Sequence, residues 1–140
     1  NIANTGYKIS DLYDALAETA AESLVLLDAC FSGFTKSGSA LASTKGVVKL
    51  TSGTPRGNTV VFSASSSNEV AHQYDEKSHG LFTYYLLKKL QETQGDITLG
   101  ELFTYVEKQV VRTSLMVVRK SQTPSVAAGI DAQAWKERKL

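Results

Sequence analysis

Two runs of apolar residues constrain the fold of this chain more than any other feature of its sequence. The first is SLVLLDAC at residues 23–30, and the second is TVVFSAS at residues 59–65. Both are nearly continuous in apolar residues, as is typical of strands that other layers cover on both faces. They predict buried strands of a mainly parallel sheet, and TPSVAAG at residues 123–129 predicts a third, shorter strand.

Three segments have the apolar spacing of amphipathic helices, namely residues 9–22, 80–91 and 99–113. The last of these segments begins within a Thr-Leu-Gly-Glu sequence at residues 98–101, which predicts a capping box at the first turn of the helix. Ser78 is expected to cap the second helix. The order of helices and strands indicates an α/β fold with helices on both faces of the sheet.

The strand at residues 23–30 has the composition of a central strand, which needs a neighbour on each side. The sequence supplies few candidates, and it begins at Asn1 rather than at a methionine. We therefore expect further N-terminal strands to come from a missing segment or from another chain. On this interpretation residues 1–130 are the C-terminal part of one domain, and residues 131–140 are a polar tail without a fold signal.

Composition and charge exclude several classes of function. The 140 residues carry a net charge of only +1, so we expect neither nucleic acid nor an anionic membrane as a partner. The longest apolar runs are far shorter than the roughly 18 residues of a membrane span. A single cysteine excludes an internal disulfide bond, which favours the cytoplasm, although a secreted protein without its signal peptide would have the same composition.

The single cysteine, Cys30, lies where the first predicted strand ends. Open parallel α/β sheets bind their ligands at the carboxyl ends of their strands, and Gly33 allows the backbone to turn sharply just beyond. A thiol in this position can meet a substrate as a nucleophile. Position alone leaves open the alternative that Cys30 is a small buried apolar residue.

Three blocks of sequence carry a resemblance to a known family. LVLLDACFSG, VVFSASSSNEVAHQY and HGLFTYYLLKKL occur in this order within residues 9–129. Together they resemble the caspase and metacaspase family of cysteine peptidases, in its bacterial branch. The resemblance implies a caspase-like three-layer sandwich that is incomplete in this chain. It also implies hydrolysis of protein or peptide substrates through an acyl-enzyme on Cys30, without a metal or an organic cofactor.

The resemblance also bears on the histidines. In caspases the catalytic histidine lies about 50 residues before the cysteine, whereas only 29 residues precede Cys30. We therefore expect that histidine on an upstream fragment of the same protein, which becomes a partner of this chain. His79 follows Cys30 and is expected to be a helix-cap or surface residue. His72 is expected to line the substrate groove and not to act as a base.

Asp28 is expected to set the substrate specificity. Residues two positions apart on a strand point to the same face, so Asp28 and Cys30 should face one pocket. Caspases cleave after aspartate and have glutamine at this position, with an arginine in the loop after the second strand, where an ungapped alignment places Gln73. Both departures favour lysine or arginine before the scissile bond, as in metacaspases. The alternative is that Asp28 only caps a turn at the end of the strand.

Further residues are expected around this pocket. Asp75 is the first candidate for a second acid, followed by Glu69 and Glu76, although each also fits a solvated loop charge. Ser63 and Ser65 are either part of the pocket rim or ordinary small residues at a strand end. By the resemblance, the segment that pairs with the extended substrate as an added strand comprises Val70, Ala71, His72 and Gln73.

The predicted loop at residues 32–58 contains four basic residues, which are Lys36, Lys45, Lys49 and Arg56. They are either solvated loop charges or sites at which a peptidase specific for lysine and arginine cleaves itself. Metacaspases often bind calcium through clustered aspartates, one of them shortly after the cysteine. The corresponding FSGFTKSGS contains no acid, so calcium dependence is not expected.

Two alternatives come from other classes of function. One is a catalytically inactive scaffold or regulatory domain of the same fold. The presence of both Cys30 and Asp28 argues against it. The other is a flavodoxin-like or nucleotide-binding module, but FSGFTKSGS lacks the lysine–threonine pair at the spacing of a phosphate-binding loop. The sequence therefore favours a cysteine endopeptidase that cleaves after lysine or arginine through a cysteine–histidine dyad.

Overall fold

The computed structural model describes residues 7–29, 53–66 and 69–140. In chain order the helices and strands of this part are α1 (Ile9–Thr19), β1 (Ser23–Leu27), β2 (Thr59–Ser63), β3 (Gln73–Tyr74), β4 (His79–Gly80), α2 (Leu81–Thr93), α3 (Leu99–Thr113), β5 (Ser125–Ala128) and α4 (Ala132–Glu137). A 3-10 turn (Asp75–Lys77) separates β3 from β4, and a π-helical turn (Ser114–Val118) extends α3. Within these ranges no helix is long and apolar enough to cross a membrane.

Three strands form the main sheet, and β2 lies between the other two. β1 runs parallel to β2, with Leu24 opposite Val60, whereas β5 runs antiparallel to β2, with Val126 opposite Phe62. The α/β class predicted from the sequence is confirmed. The sheet is mixed rather than wholly parallel, because the last strand enters it from the opposite direction.

The composition of β1 predicts a central strand, but β2 holds that place among the described residues. Val60, Val61 and Phe62 are at most 2% exposed, whereas Leu26 in β1 is 41% exposed. Within the described ranges β1 pairs with β2 alone, while β2 pairs along both of its edges. A further strand beside β1 therefore stays a prediction.

Side chains of β2 alternate between two layers of helices. Val60 and Phe62 belong to the main core, which they share with residues of α2, α3 and α4. Val61 points to the opposite face, where α1 packs on β2 and contributes the buried Tyr13. The sheet is therefore covered on both faces, as the continuous apolar run in β2 predicts.

The polar segment before α2 is more ordered than its sequence indicates. Gln73 pairs with Gly80 and Tyr74 pairs with His79, so β3 and β4 form a two-stranded ribbon around the 3-10 turn. The prediction that Ser78 caps α2 is wrong, because Ser78 has a left-handed φ of 56° and closes the 3-10 turn. Gly80 is the N-cap of α2 instead, without a side-chain cap.

α3 begins and ends where the sequence predicts. The Thr98 hydroxyl accepts the backbone N–H of Glu101 at 3.2 Å, and the Glu101 carboxylate accepts the backbone N–H of Thr98 at 3.1 Å. These two reciprocal bonds are the predicted capping box. The backbone N–H of Thr98, followed by its hydroxyl, lowers the pKa of Glu101.

Residues 131–140 are expected to be a polar tail, but the structure gives them a helix and a core residue. α4 begins after Asp131, whose carboxylate accepts the backbone N–H of Gln133 at 2.8 Å. Trp135 is 5% exposed, and its ring centroid lies 5.9 Å from that of Phe62 and 6.2 Å from that of Phe103. The charged neighbours of Trp135 are exposed, so the segment looks polar although one large side chain anchors it in the core.

Replacing Trp135 with alanine should destabilise the fold strongly, because it empties a position between two core aromatic rings. We expect Trp135→Ala to lower the free energy of unfolding by about 3–5 kcal/mol, measured by urea denaturation of the complete protein. Gln133→Ala changes an exposed residue of the same helix and should stay within about 0.5 kcal/mol of the unmodified protein. Equal stability of the two variants would contradict the anchoring role of Trp135.

Candidate functional site

Asp28 lies immediately after β1, on the exposed side of the carboxyl end of that strand. Its Oδ2 accepts a hydrogen bond of 2.6 Å from the hydroxyl of Thr83. Thr83 is the third residue of α2, so the carboxylate lies at the first turn of this helix. The first turn carries partial positive charge from its unpaired backbone N–H groups and therefore attracts a carboxylate. The sheet and the helix together hold the acid at the carboxyl end of β1.

Gly80 forms the second contact of the Asp28 carboxylate. A Cβ added to Gly80 would overlap Oδ2 and would lie 3.1 Å from Cγ of Asp28. The φ of Gly80 is −64°, which any residue adopts, so the backbone conformation does not require glycine here. Glycine is required because the carboxylate occupies the space where a side chain would lie.

The ribbon brings the predicted substrate segment next to Asp28. Gly80, which contacts Asp28, pairs with Gln73 across the ribbon. In addition, the backbone N–H of Leu81 donates to the carbonyl of His72 at 3.0 Å. Asp28 therefore contacts the strand that pairs with Gln73, one of the residues expected in the substrate groove.

Asp75 is expected as the second acid of the pocket, but it belongs to the 3-10 turn at the tip of the ribbon. The tip is the end of the ribbon opposite to the Gln73–Gly80 pair, so the ribbon separates Asp75 from Asp28. Asp75 and Glu76 are both exposed. A role for Asp75 in substrate binding stays a prediction.

Aromatic contacts hold the ribbon on α2. The ring centroid of Tyr74 in β3 lies 5.2 Å from that of Tyr84 and 6.3 Å from that of Tyr85. The hydroxyl of Tyr85 in turn forms a 2.7 Å hydrogen bond with the hydroxyl of Thr113 at the end of α3. The ribbon, α2 and α3 therefore form one packed unit around the candidate site.

Gln122 ties three separate segments together, although its sequence context gives no sign of this. Its Oε1 accepts the backbone N–H of His72 at 2.7 Å, and its Nε2 donates to the carbonyl of Ala64 at 2.8 Å. Its backbone N–H donates to the hydroxyl of Ser114 at 3.2 Å. Gln122 is 1% exposed, so these bonds replace water for a buried amide. They fix the start of the predicted substrate segment relative to the end of β2.

Glu69 performs a structural task in the same region. Its carboxylate accepts hydrogen bonds from the backbone N–H and the hydroxyl of Thr123. Burial raises the pKa of Glu69, but the hydrogen bonds from Thr123, Ser121 and Ser66 outweigh it and leave the pKa below its usual value. The carboxylate thus fastens the segment that leads into β5 and is already engaged within the protein.

The two histidines differ in their surroundings. His79 is exposed in β4, in agreement with the expected surface position. The side chain of His72 is half-buried, and burial is the main reason that its pKa lies below the usual value. Lys120 lowers the pKa further, whereas a hydrogen bond to the backbone of Ser121 and the charge of Glu69 oppose the shift.

The remaining predicted residues have varied positions. Val70 and Ser63 are half-buried, and Ala71 is buried in the main core. Ser65 is also buried, and its hydroxyl has no hydrogen-bond partner within the described ranges. Arg56 is exposed and pairs with Asp14 at 3.4 Å. Four further residues lie outside the described part of the chain, namely Cys30, Lys36, Lys45 and Lys49.

Groups that could bind a metal ion and depressions that could bind a ligand are the other features of the described residues that bear on a site. Among residues 7–29, 53–66 and 69–140, no three His, Cys, Asp or Glu side chains are grouped so that they could hold a metal ion. A shallow depression of about 720 Å³ lies near the end of α2 and the start of α3, lined by residues that include Lys89, Thr93 and Glu101. It is at the opposite end of α2 from Thr83 and therefore separate from the candidate site.

Comparison with known proteins supports the resemblance noted in the sequence. The sequence profile of the caspase domain matches residues 4–133, a range that includes Asp28, the ribbon and Gln122. A search among curated proteins gives no significant match.

The contact between Glu69 and Thr123 predicts a pH-dependent contribution to stability. Because the folded state lowers the pKa of Glu69 below 4.5, the contribution is fully present above that value and is lost as the pH falls through the lowered pKa. At pH 7 we expect Glu69→Gln to reduce the free energy of unfolding by about 1 kcal/mol, measured by urea denaturation. As the pH falls below 4.5 and through the lowered pKa, the difference from the unmodified protein should shrink, because the wild-type carboxyl becomes protonated.

Glu107→Gln is a suitable control, since Glu107 is a half-buried acid on α3. Its effect on stability should be small at both pH values. A Glu69→Gln variant whose stability falls with acidification as steeply as that of the unmodified protein would contradict the assigned role of the Glu69 carboxylate. Protonation of His72 contributes to that fall in both proteins, because its pKa is also lowered in the folded state.

Proposed function

Because this chain belongs to the caspase domain family of cysteine peptidases, we propose that it is part of an endopeptidase that cleaves after lysine or arginine. The observation that supports this specificity is the place of Asp28. Its carboxylate lies at the carboxyl end of β1, against Gly80 and Thr83, beside the segment expected to meet the substrate. Ligands of open α/β sheets bind at this edge.

The proposed reaction is hydrolysis through an acyl-enzyme. The thiolate of Cys30, a residue outside the described ranges, attacks the scissile carbonyl and forms a thioester, while the amine of the departing peptide takes up a proton. Water then hydrolyses the thioester and regenerates the thiol. A histidine from an upstream segment of the same protein transfers the protons in both steps. No residue of this chain is assigned that part.

Charge explains the proposed preference for basic side chains. A guanidinium or ammonium group that reaches Asp28 forms a charge-assisted hydrogen bond, and a guanidinium can bind both carboxylate oxygens. Gln73, which lies across the ribbon from Gly80, adds no positive charge that would attract an acidic side chain. An aspartate before the scissile bond would meet the like charge of Asp28.

The backbone near His72 and Gln73 is the proposed docking strand for the extended substrate. Gln122 already accepts the N–H of His72, so that group holds the segment in place and does not pair with substrate. Gln122 thereby sets the position of the docking strand relative to β2, since its amide also donates to Ala64. The proposed partners are therefore protein or peptide substrates and the upstream segment that carries the histidine.

Self-cleavage within residues 32–58 is part of the same proposal. The basic residues of this segment match the proposed specificity, and one of them, Arg56, lies within the described ranges. The side chain of Arg56 is 75% exposed, and its ion pair with Asp14 is a surface contact that contributes little to stability. Lys36, Lys45 and Lys49 are the other proposed cleavage sites.

A catalytically inactive scaffold is the alternative function. The fold and the family would be the same, but peptide cleavage would be absent. The joint presence of Cys30 and Asp28 favours the peptidase, because a scaffold requires neither a thiol at position 30 nor an acid at position 28. The two functions are distinguished by activity.

The decisive measurement is cleavage of fluorogenic peptides by the complete protein. We expect peptides with arginine or lysine before the scissile bond to be cleaved, and peptides with aspartate to be cleaved far less. Cys30→Ala should abolish cleavage, because it removes the nucleophile. Asp28→Asn should lower kcat/KM for the arginine peptide about tenfold to a hundredfold, because it removes the charge that binds the basic side chain.

Glu107→Gln is again a control, because it removes a carboxylate from α3 without altering Asp28. Undiminished cleavage by Cys30→Ala would reject the mechanism, and a preference for aspartate peptides would reject the specificity. Absence of cleavage of all three peptides by the complete protein would favour the scaffold.

A further inference from the structure

We infer that Thr83 and Gly80 are positioning residues that hold the Asp28 carboxylate ready for a basic substrate side chain. This inference rests on the proposed function, because it takes Asp28 as the acid of the specificity pocket. Both residues act through Asp28 and neither takes part in the chemistry at the scissile bond.

The Thr83 hydroxyl is a donor on a rigid support. The two residues before it, Leu81 and Phe82, are at most 1% exposed and belong to the main core. The first turn of α2 is further fixed by the bond from the Leu81 N–H to the carbonyl of His72. A donor on a packed helix restricts the Asp28 side chain more than a donor on a free loop would.

Gly80 limits the position of the same carboxylate by shape. Its missing side chain leaves a space that Oδ2 fills, while the Thr83 hydroxyl bonds the same oxygen at 2.6 Å. One residue therefore supplies a hydrogen bond and the other supplies a space of matching size. Asp28 is exposed, so without these contacts its side chain would be expected to sample several rotamers.

The choice of a neutral donor matters for binding. A lysine or arginine at position 83 would also hold Asp28, but it would cancel the charge that attracts the substrate. A hydroxyl occupies only one of about four acceptor positions of a carboxylate. The other positions stay available for a guanidinium or ammonium group of the substrate.

Thr83→Val tests the hydrogen bond, because valine keeps the shape of threonine and removes its hydroxyl. In the complete protein we expect the KM for an arginine peptide to rise about threefold to tenfold, since binding must then order the Asp28 side chain. The value of kcat should stay within about twofold, because the reacting groups are unchanged. Thr83→Ser restores the hydroxyl and should return KM to nearly its original value.

Gly80→Ala tests the space. The added methyl group must displace the carboxylate, so the KM for the arginine peptide should rise more than in Thr83→Val. Unfolding measurements on each variant establish that it is folded. A small neutral alkylating reagent should modify Cys30 at an unchanged rate in each variant, because it makes no use of Asp28.

Thr93→Val is the matched control for Thr83→Val. Thr93 is a half-buried threonine at the other end of α2, and its hydroxyl donates to the carbonyl of Lys89 at 3.0 Å. It should leave the KM for the arginine peptide unchanged. In addition, Thr83→Val should have no further effect in an Asp28→Asn background, because the two residues act through one carboxylate.

The outcomes separate this inference from the proposed function. If Asp28→Asn weakens cleavage of the arginine peptide but Thr83→Val does not alter KM, the inference is wrong and the proposed function stands. A Thr83→Val effect that persists in the Asp28→Asn background, or that slows the neutral reagent equally, also overturns it. Failure of the unmodified protein to cleave basic peptides would overturn both.

Discussion

The burial of β2 is the constraint on which the rest of the described structure depends. Its two edges pair with β1 and β5, and its two faces pack against α1 on one side and the remaining helices on the other. In a strand at this position, a polar side chain facing the core would be unfavourable. The register of β2 is fixed because it buries Val60, Val61 and Phe62. Once β2 is fixed, the parallel register of β1 fixes where Asp28 leaves the sheet.

The candidate site is assembled from segments that are distant in the chain. Thr83 bonds Asp28 across 55 positions of sequence, and Gln122 bonds His72 across 50. In both contacts a polar side chain reaches a segment outside the regular helices and strands near the sheet edge. The arrangement explains how short, polar segments hold a defined geometry there, because Thr83 and Gln122 connect them to packed and buried parts of the fold.

The parts predicted from the sequence are those with local signals. The apolar runs of β1 and β2, the helical spacing of α2 and the capping box of α3 each lie within a few neighbouring residues, and all are confirmed. The sequence gives no sign that Gln122 and Trp135 are buried, because each stands among polar or charged neighbours and its partners lie far away in the sequence. The spacing from Cys30 and the resemblance both point to Asp28, whereas its partner Thr83 gives no signal, since a threonine in the first turn of a helix is ordinary.

The absence of a side chain at Gly80 has a consequence for the length of the acid that can occupy position 28. A glutamate is longer by one methylene, and its carboxylate would extend past the space beside Gly80 that the Asp28 carboxylate fills. It would have to abandon the Thr83 hydroxyl or push the helix outwards from the sheet. Changing the substrate preference of this pocket therefore involves at least positions 28 and 80, because the size of the residue at one position limits the size of the residue at the other.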